Sequence, residues 1–398
     1  MALTDFRPEF DNAYQEVFQK ALVAKDIMNT RFESKLKFGE SVERVAYDIS
    51  AVLVRNVTRG NASTIDAITD TSELLTINLE KEMAFHISDG EVTQAGPLNP
   101  GQEIGKQVGI KLALDLDGRC FYEVRSALFD FDNGDLTTGT STGTPITLSS
   151  TTVPQMTSRM AAKLRFRNNQ EVMSGLVLVV DSYAASDITQ YLLGKNIDLA
   201  GSVFKNGYTG DVNNAQLYIS ENLSGEATLT STGVFVDTQT VTINGVVLTT
   251  MTTLGATPGN VLIGANAAAT ITNLTALINA PTVTTAQGVA ITSAADLDTL
   301  SRVVAVATSA TVMTINGVGG GRFIISETQT NASWDKNLLH CYFGKKGAID
   351  LVVQDMKSAD MRETADRRGT NVFASYLAGI KTFADGAKKF LDLLINAA

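Results

Sequence analysis

The stretch between Lys205 and Lys336 contains no lysine, and this break in composition is the feature that most constrains how the chain can fold. Within it, residues 227–331 are mainly Thr, Ala, Val, Gly and Asn, with only a handful of charged side chains. The sequence on either side has an ordinary mixture of Lys, Arg, Asp and Glu. So abrupt a change predicts a separate module inserted into a host domain whose sequence resumes near Trp334. We therefore interpret the two flanking segments as one interrupted fold.

The length and charge of the chain limit the classes of protein to which it can belong. At 398 residues it is too long for one average hydrophobic core, so two or three domains are expected. Hydrophobic residues make up 44% and charged residues 19% of the sequence, which is usual for a globular protein. The formal net charge of −10 argues against an electrostatic nucleic-acid binder, because such a protein needs a basic face to displace counterions.

The cysteine content and the N-terminal sequence indicate a cytoplasmic protein. Cys120 and Cys341 are too few for a disulfide framework and fit a reducing compartment. Residues 1–8 lack the basic, apolar and small-residue pattern of a signal peptide. No uninterrupted apolar run approaches the roughly 18 residues of a membrane span. We therefore expect a soluble protein with no membrane partner.

Before the low-charge segment, the sequence predicts a helix followed by strands. Apolar residues recur at helical spacing near the N-terminus: Phe10, Tyr14, Val17, Phe18, Ala21 and Leu22. Residues 51–55, 74–79 and 83–87 are candidate strands, and Asp89-Gly90 is a turn signal. The first two strands, joined by a polar run, predict a long hairpin with too little apolar surface to pack alone.

Pro97 and Pro100 precede a long predicted helix, since Pro is tolerated in a first turn where its missing N–H is unpaired anyway. An apolar stripe at i, i+4 spacing comprises Ile104, Val108, Leu112, Leu116, Cys120, Val124 and Leu128. Three glycines within this stretch lower its helix propensity and favour a bend. A loop rich in Ser, Thr and Gly is expected from about residue 135 to residue 152.

A β-α-β unit is predicted next. Residues 154–167 have a helical pattern, and the apolar, branched run 176–180 indicates a buried strand. Asp181-Ser182 is a capping signal for a helix that extends to Leu193. Residues 216–220 complete the unit as a second strand.

The low-charge segment has its own pattern. Residues 242–246 and 314–318 are near copies that place Asn-Gly between apolar runs, which is the strongest short hairpin signal. An Ala-rich helix is expected at about 266–279, with Ile271, Leu274 and Ile278 on one side, and a strand at 303–306. These features predict a small strand-rich domain with one helix.

The remaining sequence is predicted to be mostly extended. Residues 348–353 indicate a strand, and residues 370–383 indicate an extended segment. Asp385-Gly386 is a turn signal before residues 389–395. That last run fits either a strand or a C-terminal helix.

The inventory of reactive groups is small. His86 and His340 are the only histidines, and two histidines do not by themselves make a metal site. The glycine-rich run 317–322 lacks the pattern of a dinucleotide fingerprint and indicates a turn. The sequence therefore predicts no enzyme, with no catalytic, cofactor-binding or metal-ligating residues and no cofactor.

Two clusters of charged residues allow more than one interpretation. The run 130–135 is similar to a calcium loop, but its glycine comes one place early and Ser141 stands where a bidentate Glu is needed, so a solvated acidic turn is favoured. A second cluster alternates in sign: Asp360, Arg362, Glu363, Asp366, Arg367 and Arg368. It fits a solvated helix face with i, i+4 pairs or a subunit contact of complementary charge, and both interpretations stay open.

The order of these elements resembles the Hong Kong 97 type of capsid subunit found in tailed bacteriophages. An arm, a two-stranded extension and a long helix are followed by a helix-strand-helix-strand unit and C-terminal strands. Residues 175–183 (GLVLVVDSY) and 207–223 look like the axial-domain segment of many phage capsid proteins, and residues 345–395 look like their returning C-terminal segment. The resemblance covers roughly residues 1–226 and 332–398. The segment between them is similar, more loosely, to small β-rich domains of phage structural proteins.

The resemblance implies an α+β fold of the Hong Kong 97 type with an inserted β-rich domain. The expected parts are an N-terminal arm at 1–45, an extended loop hairpin at 46–96, a spine helix and peripheral domain at 97–150, an axial domain at 151–226, the inserted domain at 227–331, and a return through the axial and peripheral domains at 332–398. The inserted domain is expected to be autonomous, with closely spaced ends, and to project from the outer face.

The family implies a major capsid subunit that assembles as pentamers and hexamers of an icosahedral shell around phage double-stranded DNA. Expected partners are other copies of the chain, a scaffold protein during assembly, the portal and a decoration protein. Packaged DNA would contact the inner face without sequence specificity, which suits an acidic wall. The expected location is the virion capsid, assembled in the host bacterial cytoplasm. Some members form Lys–Asn cross-links, but none is predicted here.

Two alternatives remain open at this point. One is an encapsulin-like compartment shell, which shares the fold and would be favoured by a neighbouring cargo-enzyme gene. The other is a fibre or adhesin carrying a β-rich binding domain, which trimers and sugar binding would favour. The second alternative leaves the flanking segments unexplained.

Overall fold

The computed structural model describes the greater part of the chain: residues 10–18, 22–32, 41–48, 52–56, 65–88, 100–167, 175–193, 208–212, 215–363 and 369–397. The predicted turn at Asp89-Gly90, Pro97, and residues 366–368 of the mixed-charge cluster lie outside these residues. Among the described residues, helices are either too short or too polar to cross a membrane.

The fold is α+β, as expected. Helices are α1 (residues 10–18), α2 (Ala24–Ile27), α3 (Pro100–Tyr122), α4 (Asn133–Thr137), α5 (Thr152–Arg167), α6 (Ser182–Leu193), α7 (Ala267–Asn279), α8 (Ala294–Leu300) and α9 (Ala384–Ala387), with a 3-10 helix at Glu123–Ser126. Strands are β1 (Ser41–Asp48), β2 (Thr69–Thr76), β3 (Leu79–Ile87), β4 (Asp130–Phe131), β5 (Leu176–Val180), β6 (Tyr208–Val212), β7 (Ala215–Ile219), β8 (Ser224–Ser231), β9 (Thr240–Ile243), β10 (Val246–Met251), β11 (Asn260–Leu262), β12 (Val303–Ala307), β13 (Val312–Gly317), β14 (Ile325–Glu327), β15 (Ala332–Lys345), β16 (Asp350–Glu363), β17 (Thr370–Lys381) and β18 (Phe390–Asn396).

The chain divides into two compact units, and the first comprises residues 1–21, 28–112 and 347–387. Within this unit, β16, β17 and β3 form an antiparallel sheet in that order, and β1 pairs with β2 as a separate antiparallel ribbon. Leu75 of β2 and Phe383 are fully buried in a core cluster of this unit. One side of the ribbon is therefore fixed to a hydrophobic core.

Helix α1 packs closely against the first half of α3 because two of the α3 glycines leave room for its backbone. A Cβ at Gly105 would lie 2.7 Å from the carbonyl oxygen of Phe10, and one at Gly109 would lie 2.9 Å from that of Tyr14. The predicted apolar face of α1 is confirmed, since Phe10, Tyr14 and Phe18 are fully buried. These glycines serve close packing between helices, a role that helix propensity alone does not indicate.

The second unit comprises residues 22–27, 113–346 and 388–398. Its long sheet has the strand order β12-β13-β8-β15-β5-β7-β6, and β18 pairs with both β15 and β4. Strands β5 and β7 are parallel and flank α6 in sequence, so the predicted β-α-β unit is confirmed. All five residues of β5 are buried, and Asp181 then caps α6 by accepting a hydrogen bond from the Ala184 amide at 3.0 Å.

The low-charge segment contributes a four-stranded sheet of order β11-β10-β9-β14 together with α7 and α8. The predicted hairpin at 242–246 is confirmed: Asn244 and Gly245, with φ of 50° and 87°, join β9 to β10. Helix α7 begins after Asn266, whose side chain accepts a hydrogen bond from the Ala269 amide at 2.9 Å. The predicted inward side of α7, including Ile271, is buried.

This segment has its own hydrophobic core, but its first strand also belongs to the long sheet. One cluster of buried residues is drawn entirely from positions 227–332. Strand β8 pairs with β13 on one side and with β15 on the other, so the predicted boundary at Ala227 falls inside a strand. Ser231 lies opposite Ala332 in the β8–β15 ladder. The ends of the segment are therefore adjacent, which agrees with an insertion.

An asparagine protects the edge of the long sheet at β12. The Ala305 amide donates to Asn279 Oδ1 at 2.9 Å, and Asn279 Nδ2 donates to the Ala305 carbonyl at 2.8 Å. Asn279 is the last residue of α7. The helix thus supplies, through one side chain, the two backbone hydrogen bonds that another strand would make at this residue.

Several predicted elements are wrong. Residues 52–56 do not form a strand. The partner of β2 is β1 instead, because this pairing places Val42 beside Leu75 in the hydrophobic core. The second Asn-Gly copy, at Asn316-Gly317, lies within β13 and is not a turn, since neighbouring strands pair with it on both sides.

Further corrections concern element ends and types. The C-terminal run forms β18 and not a helix, because β15 and β4 flank it. The low-charge segment has two helices where one was expected. Leu128 is exposed because α3 ends at Tyr122, before the stripe does. Short helices occupy the start of the predicted 135–152 loop and the predicted turn at Asp385-Gly386.

Candidate functional site

The ribbon of β1 and β2 has one buried and one exposed side. Val42 lies opposite Leu75 on the side that faces the core of the first unit. On the other side, Val45 is 46% exposed and Leu74 is 52% exposed. Alternation along a strand explains this division, because successive side chains point to opposite faces.

Two arms continue beyond the paired strands and present more apolar surface. Val52, Leu53 and Val54 on one arm are 43%, 61% and 105% exposed, and Ile65 and Ile68 on the other are 92% and 61% exposed. Several strongly exposed apolar side chains on two neighbouring arms are typical of an interaction surface. We name these five residues with Val45 and Leu74 the exposed arm surface.

The two arms are joined by an ion pair. Arg55 donates two hydrogen bonds to the Asp66 carboxylate, at 2.6 Å and 2.7 Å, and the Leu53 amide donates to Asp66 Oδ2 at 3.0 Å. The Arg55 hydrogen bond, followed by the Leu53 amide, lowers the pKa of Asp66 below its ordinary value. This contact holds the arms side by side without a strand ladder.

The base of the ribbon is fixed by charged contacts within the same unit. Arg44 donates to Asp385 at 2.6 Å, and its guanidinium lies 5.0 Å from the centre of the Phe383 ring. The Ala384 amide donates to the Glu73 carboxylate at 3.1 Å. The exposed arm surface therefore extends from an anchored base.

The two histidines, neither of which the sequence predicts to be a site residue, lie in different surroundings. His86 Nδ1 is 2.9 Å from Asn371 Oδ1, which fits a structural hydrogen bond between β3 and β17. His340 is buried in β15, with Nδ1 2.6 Å from Asp392 Oδ2 and Nε2 3.5 Å from Glu226 Oε2. Among the residues that the structure describes, only His340 has carboxylates on both sides.

An arginine completes the cluster around His340. Arg125 donates to Glu226 Oε2 at 2.8 Å, to Asn316 Oδ1 at 2.7 Å and to the Gly225 carbonyl at 3.0 Å. Burial lowers the pKa of His340, but the charge and the hydrogen bond of Asp392 outweigh it, so that the pKa lies above its ordinary value. The local sequence pattern did not predict this cluster, because its members are far apart along the chain.

The acidic run 130–135 does not form the expected solvated turn. Asp132 and Asp135 are buried at the start of α4, where they form a capping box. The Asp132 side chain accepts hydrogen bonds from the Gly134 and Asp135 amides, and the Asp135 side chain accepts one from the Asp132 amide. Asp132 also accepts from the Thr142 and Gly143 amides, and Asp135 pairs with Lys163 at 2.6 Å. These carboxylate oxygens are occupied by the protein itself.

The glycine-rich run forms a loop, as expected. Gly319, Gly320 and Gly321 all have positive φ, between 67° and 84°. Arg322, which follows, forms an ion pair with the buried Asp181. The loop is therefore fixed to the end of β5 and carries no phosphate-binding geometry of the kind that opens a long helix.

Two negative findings apply to the part of the chain that the structure describes. No group of three or more His, Cys, Asp or Glu side chains could hold a metal ion there. Cys120 and Cys341 are buried free thiols, and burial raises the pKa of both well above the ordinary value.

In the mixed-charge cluster, residues 360–363 lie in β16, so a helix face is the wrong interpretation there.

Comparison with known proteins gives similarity at the level of structure. No protein-family model and no curated protein sequence matches the chain. A structure from Mycobacterium phage Che8 has a TM-score of 0.49 and 13% identity, over 94% of this chain and 91% of that one. The capsid structure of cyanophage P-SCSP1u has a TM-score of 0.45 and 10% identity, over 91% and 85%.

A third similar structure is a virus-like particle from Pyrococcus furiosus, with a TM-score of 0.41 and 9% identity. That match covers 98% of this chain and 99% of the other. Other similar structures are described as capsids of phages that include GP4 and Andhra. Over most of its length, and at low sequence identity, the chain is therefore similar in structure to phage capsids and to a virus-like particle.

Proposed function

We propose that the chain is the major capsid subunit of a tailed bacteriophage and assembles into an icosahedral shell that encloses double-stranded DNA. The observation that carries the proposal is the exposed arm surface, which extends from an anchored ribbon and, among the described residues, has no core of its own. The element order supports it, since an arm helix, a ribbon, a long helix, a β-α-β unit and returning strands follow one another as the resemblance requires.

The energetics favour a second copy of the chain as the occupant of the exposed arm surface. Fully burying one Val, Leu or Ile side chain contributes about 1.5–3 kcal/mol, so several together stabilise a contact substantially. Because every copy both offers these arms and receives those of a neighbour, the contact repeats around a closed assembly. A fibre or adhesin has no comparable use for the arms.

The remaining partners follow from this function. A scaffold protein during assembly, the portal and a decoration protein would bind the shell, and packaged DNA would contact its inner face without sequence specificity. The net charge of −10 suits a wall that confines DNA without gripping it. The role is structural, not enzymatic, and assembly takes place in the host bacterial cytoplasm.

The domain plan is part of the proposal. Residues 227–331 form an inserted β-rich domain with its own core, supported by the buried cluster within positions 227–332 and by the adjacent ends at Ser231 and Ala332. Trp334 packs against this cluster at the start of the return. The other parts are the arm, extended loop, spine and peripheral, axial and returning segments given above, with the first strand of the extended loop beginning at Ser41.

The test is to add charge to the exposed arm surface. The Val54→Asp/Ile65→Asp variant, expressed with the natural assembly partners, should remain folded by circular dichroism yet give no closed particles by negative-stain microscopy. Val283→Asp is the matched control, because Val283 is 51% exposed and lies outside the arms. Normal particles from the double variant, or loss of particles from the control alone, would contradict the proposal.

A further inference from the structure

The cluster around His340 joins three strands of the second unit through one side chain. His340 lies in β15, Asp392 in β18 and Glu226 in β8. Its Nδ1 is 2.6 Å from Asp392 Oδ2, and its Nε2 is 3.5 Å from Glu226 Oε2. Strands β8 and β18 both pair with β15. The imidazole thus adds a side-chain connection across the backbone ladders.

The charges around the imidazole balance when it is protonated. The groups that face the cluster are Arg125 of the 3-10 helix, Glu226 of β8 and Asp392 of β18, with Asp130 of β4 and Lys163 of α5 further out. Arg125 offsets one carboxylate of the inner group, and a His340 cation offsets the other. Without that proton, a buried carboxylate has no compensating charge in the inner group, and such an arrangement is strongly unfavourable.

A buried oxygen atom of Asp392 points to the same conclusion. Asp392 Oδ1 is buried and accepts no hydrogen bond from the described residues, so its carboxylate depends on the imidazole contact made by Oδ2. His340 Nε2 is also buried without a hydrogen-bond partner among these residues, so its 3.5 Å contact with Glu226 Oε2 is one of charge. A neutral imidazole has one N–H. If Nδ1 keeps it to serve Asp392, the lone pair of Nε2 faces the Glu226 carboxylate and repels it.

We propose that the proton on His340 is a structural clamp: it holds the C-terminal strand β18 to β8 across β15, and its loss at alkaline pH releases β18 first. The clamp joins the strand at which the low-charge segment begins to the end of the chain. It is independent of the exposed arm surface, so its failure and that of the proposed function would be distinguishable.

The sign of the pH dependence follows from the direction of the shifts. The pKa of His340 is raised in the folded protein, so its stabilising contribution is complete below the ordinary value of 6.5 and is lost as pH rises through the higher folded value. Burial raises the pKa of Glu226, but hydrogen bonds and charge from His340 and Arg125 lower it further, to below its ordinary 4.5. That contribution is lost only as pH falls through the lower value. The clamp is therefore complete between these limits.

The experiment uses exchange of the histidine C2 proton, followed by mass spectrometry on the full chain between pH 5 and pH 10. Because His86 and His340 are the only histidines, each gives its own titration curve in a separate peptide. We expect the midpoint of His340 above 6.5 in the folded protein and its return to 6.5 in urea. A folded midpoint at or below 6.5 would overturn the clamp.

A second measurement links the proton to β18. Amide exchange of residues 390–396, corrected for intrinsic pH dependence, should rise through the His340 midpoint, by about tenfold for each unit between the folded and unfolded pKa. His340→Gln should remove this rise, and Asp392→Asn should lower the His340 midpoint. If His340→Gln does not fold, the wild-type curves and Asp392→Asn still decide. Unchanged β18 exchange across the midpoint would contradict the proposal.

Discussion

Arg55 and Asp66 form a two-point ion pair, with N–O distances of 2.6 Å and 2.7 Å, between two arms that share no strand ladder. Apolar side chains on both arms flank this pair, including Leu53 and Ile65. The ion pair therefore fixes the distance between the two arms of the exposed arm surface. Without it, the arms would move independently and their apolar side chains would not keep a fixed arrangement. Preorganisation of this kind strengthens binding by reducing the ordering that binding requires.

We predict that reversing one charge of this pair weakens assembly and that exchanging both charges restores it. Arg55→Asp should reduce the yield of closed particles several-fold, since two carboxylates then repel each other, while Arg55→Asp/Asp66→Arg should recover most of it. Particle yield by gradient sedimentation is the measurement. Equal losses in the single and exchanged variants would mean that side-chain identity matters and the pair does not.

The α1–α3 contact predicts an unusual sign for a glycine substitution. Gly105→Ala raises helix propensity, which alone would stabilise by about 1 kcal/mol. The added Cβ would meet the Phe10 carbonyl oxygen at 2.7 Å, and overpacking of this kind costs about 1–3 kcal/mol. We therefore expect Gly105→Ala to lower the free energy of unfolding, measured by urea denaturation. The control is Gly233→Ala, where the nearest atom is 3.5 Å away, and greater stability of Gly105→Ala would show that α1 does not pack there.

Two deletions test whether the low-charge segment is an inserted domain. Removing residues 232–331 and joining Ser231 to Ala332 with a short Gly/Ser linker keeps the β8–β15 ladder but removes Arg322, the partner of the buried Asp181, so the flanking fold should remain intact at reduced stability. Leu229, which loses its core, should be changed to Thr in this variant. Removing residues 227–331 instead takes away most of β8, and this variant should be clearly less stable.

The readouts for the deletions are urea unfolding of the subunit and thermal disruption of shells. Unchanged shell stability would indicate a segment that only projects from the surface. A large loss of shell stability would indicate a segment that bridges neighbouring subunits. The isolated segment 224–334 should unfold cooperatively. Disorder of that isolated segment, or unfolding of the flanks in both deletions, would contradict the insertion.

A buried carboxylate in the second unit predicts a further pH effect. Asp117 accepts hydrogen bonds from the Val23 and Ala24 amides, both at 3.0 Å, and burial raises its pKa to about 6 despite them. Because the folded pKa lies above the unfolded value, the folded state binds more protons between about pH 4 and pH 6. The stabilising contribution of this proton is complete at the acid end and is lost as pH rises through 6.

Asp117→Asn removes this titration, so the difference in free energy of unfolding between variant and wild type should change with pH. We expect it to move in favour of the variant by up to about 3 kcal/mol between pH 4 and pH 6 and to be constant above pH 7. Comparing differences cancels the other carboxylates. A flat difference over this range would show that Asp117 is not buried in solution.

The local sequence pattern predicted those elements whose conformation is determined by their own side chains and immediate neighbours. The branched run 176–180 indicated β5, and Asn244-Gly245 indicated a turn, because burial and positive φ are properties of single residues and their neighbours. The same Asn-Gly pair at 316–317 misled, since pairing with β8 and β12 overrides local preference. Strand partners are decided by tertiary packing.

The candidate sites divide in the same way. The sequence predicted a hairpin with too little apolar surface to pack alone, although Val52–Val54 proved to be an unpaired arm and not a strand. The His340 cluster could not be foreseen, because Arg125, Glu226 and Asp392 are brought to it by strands distant in sequence. The one local signal was an ionisable residue, His340, between the apolar residues Leu339 and Cys341.

The side chain of Asn279 has a consequence for how copies of the chain can grow together. Fibrous aggregates extend when a strand of one molecule adds to the open edge of another and continues its ladder. At β12 that continuation would require the N–H and C=O of Ala305, and the carboxamide of Asn279 already occupies both. A polymer that lengthened through this edge would have to displace a helix terminus first. The side-chain amide of Asn279 thus opposes the addition of another strand to β12 at Ala305.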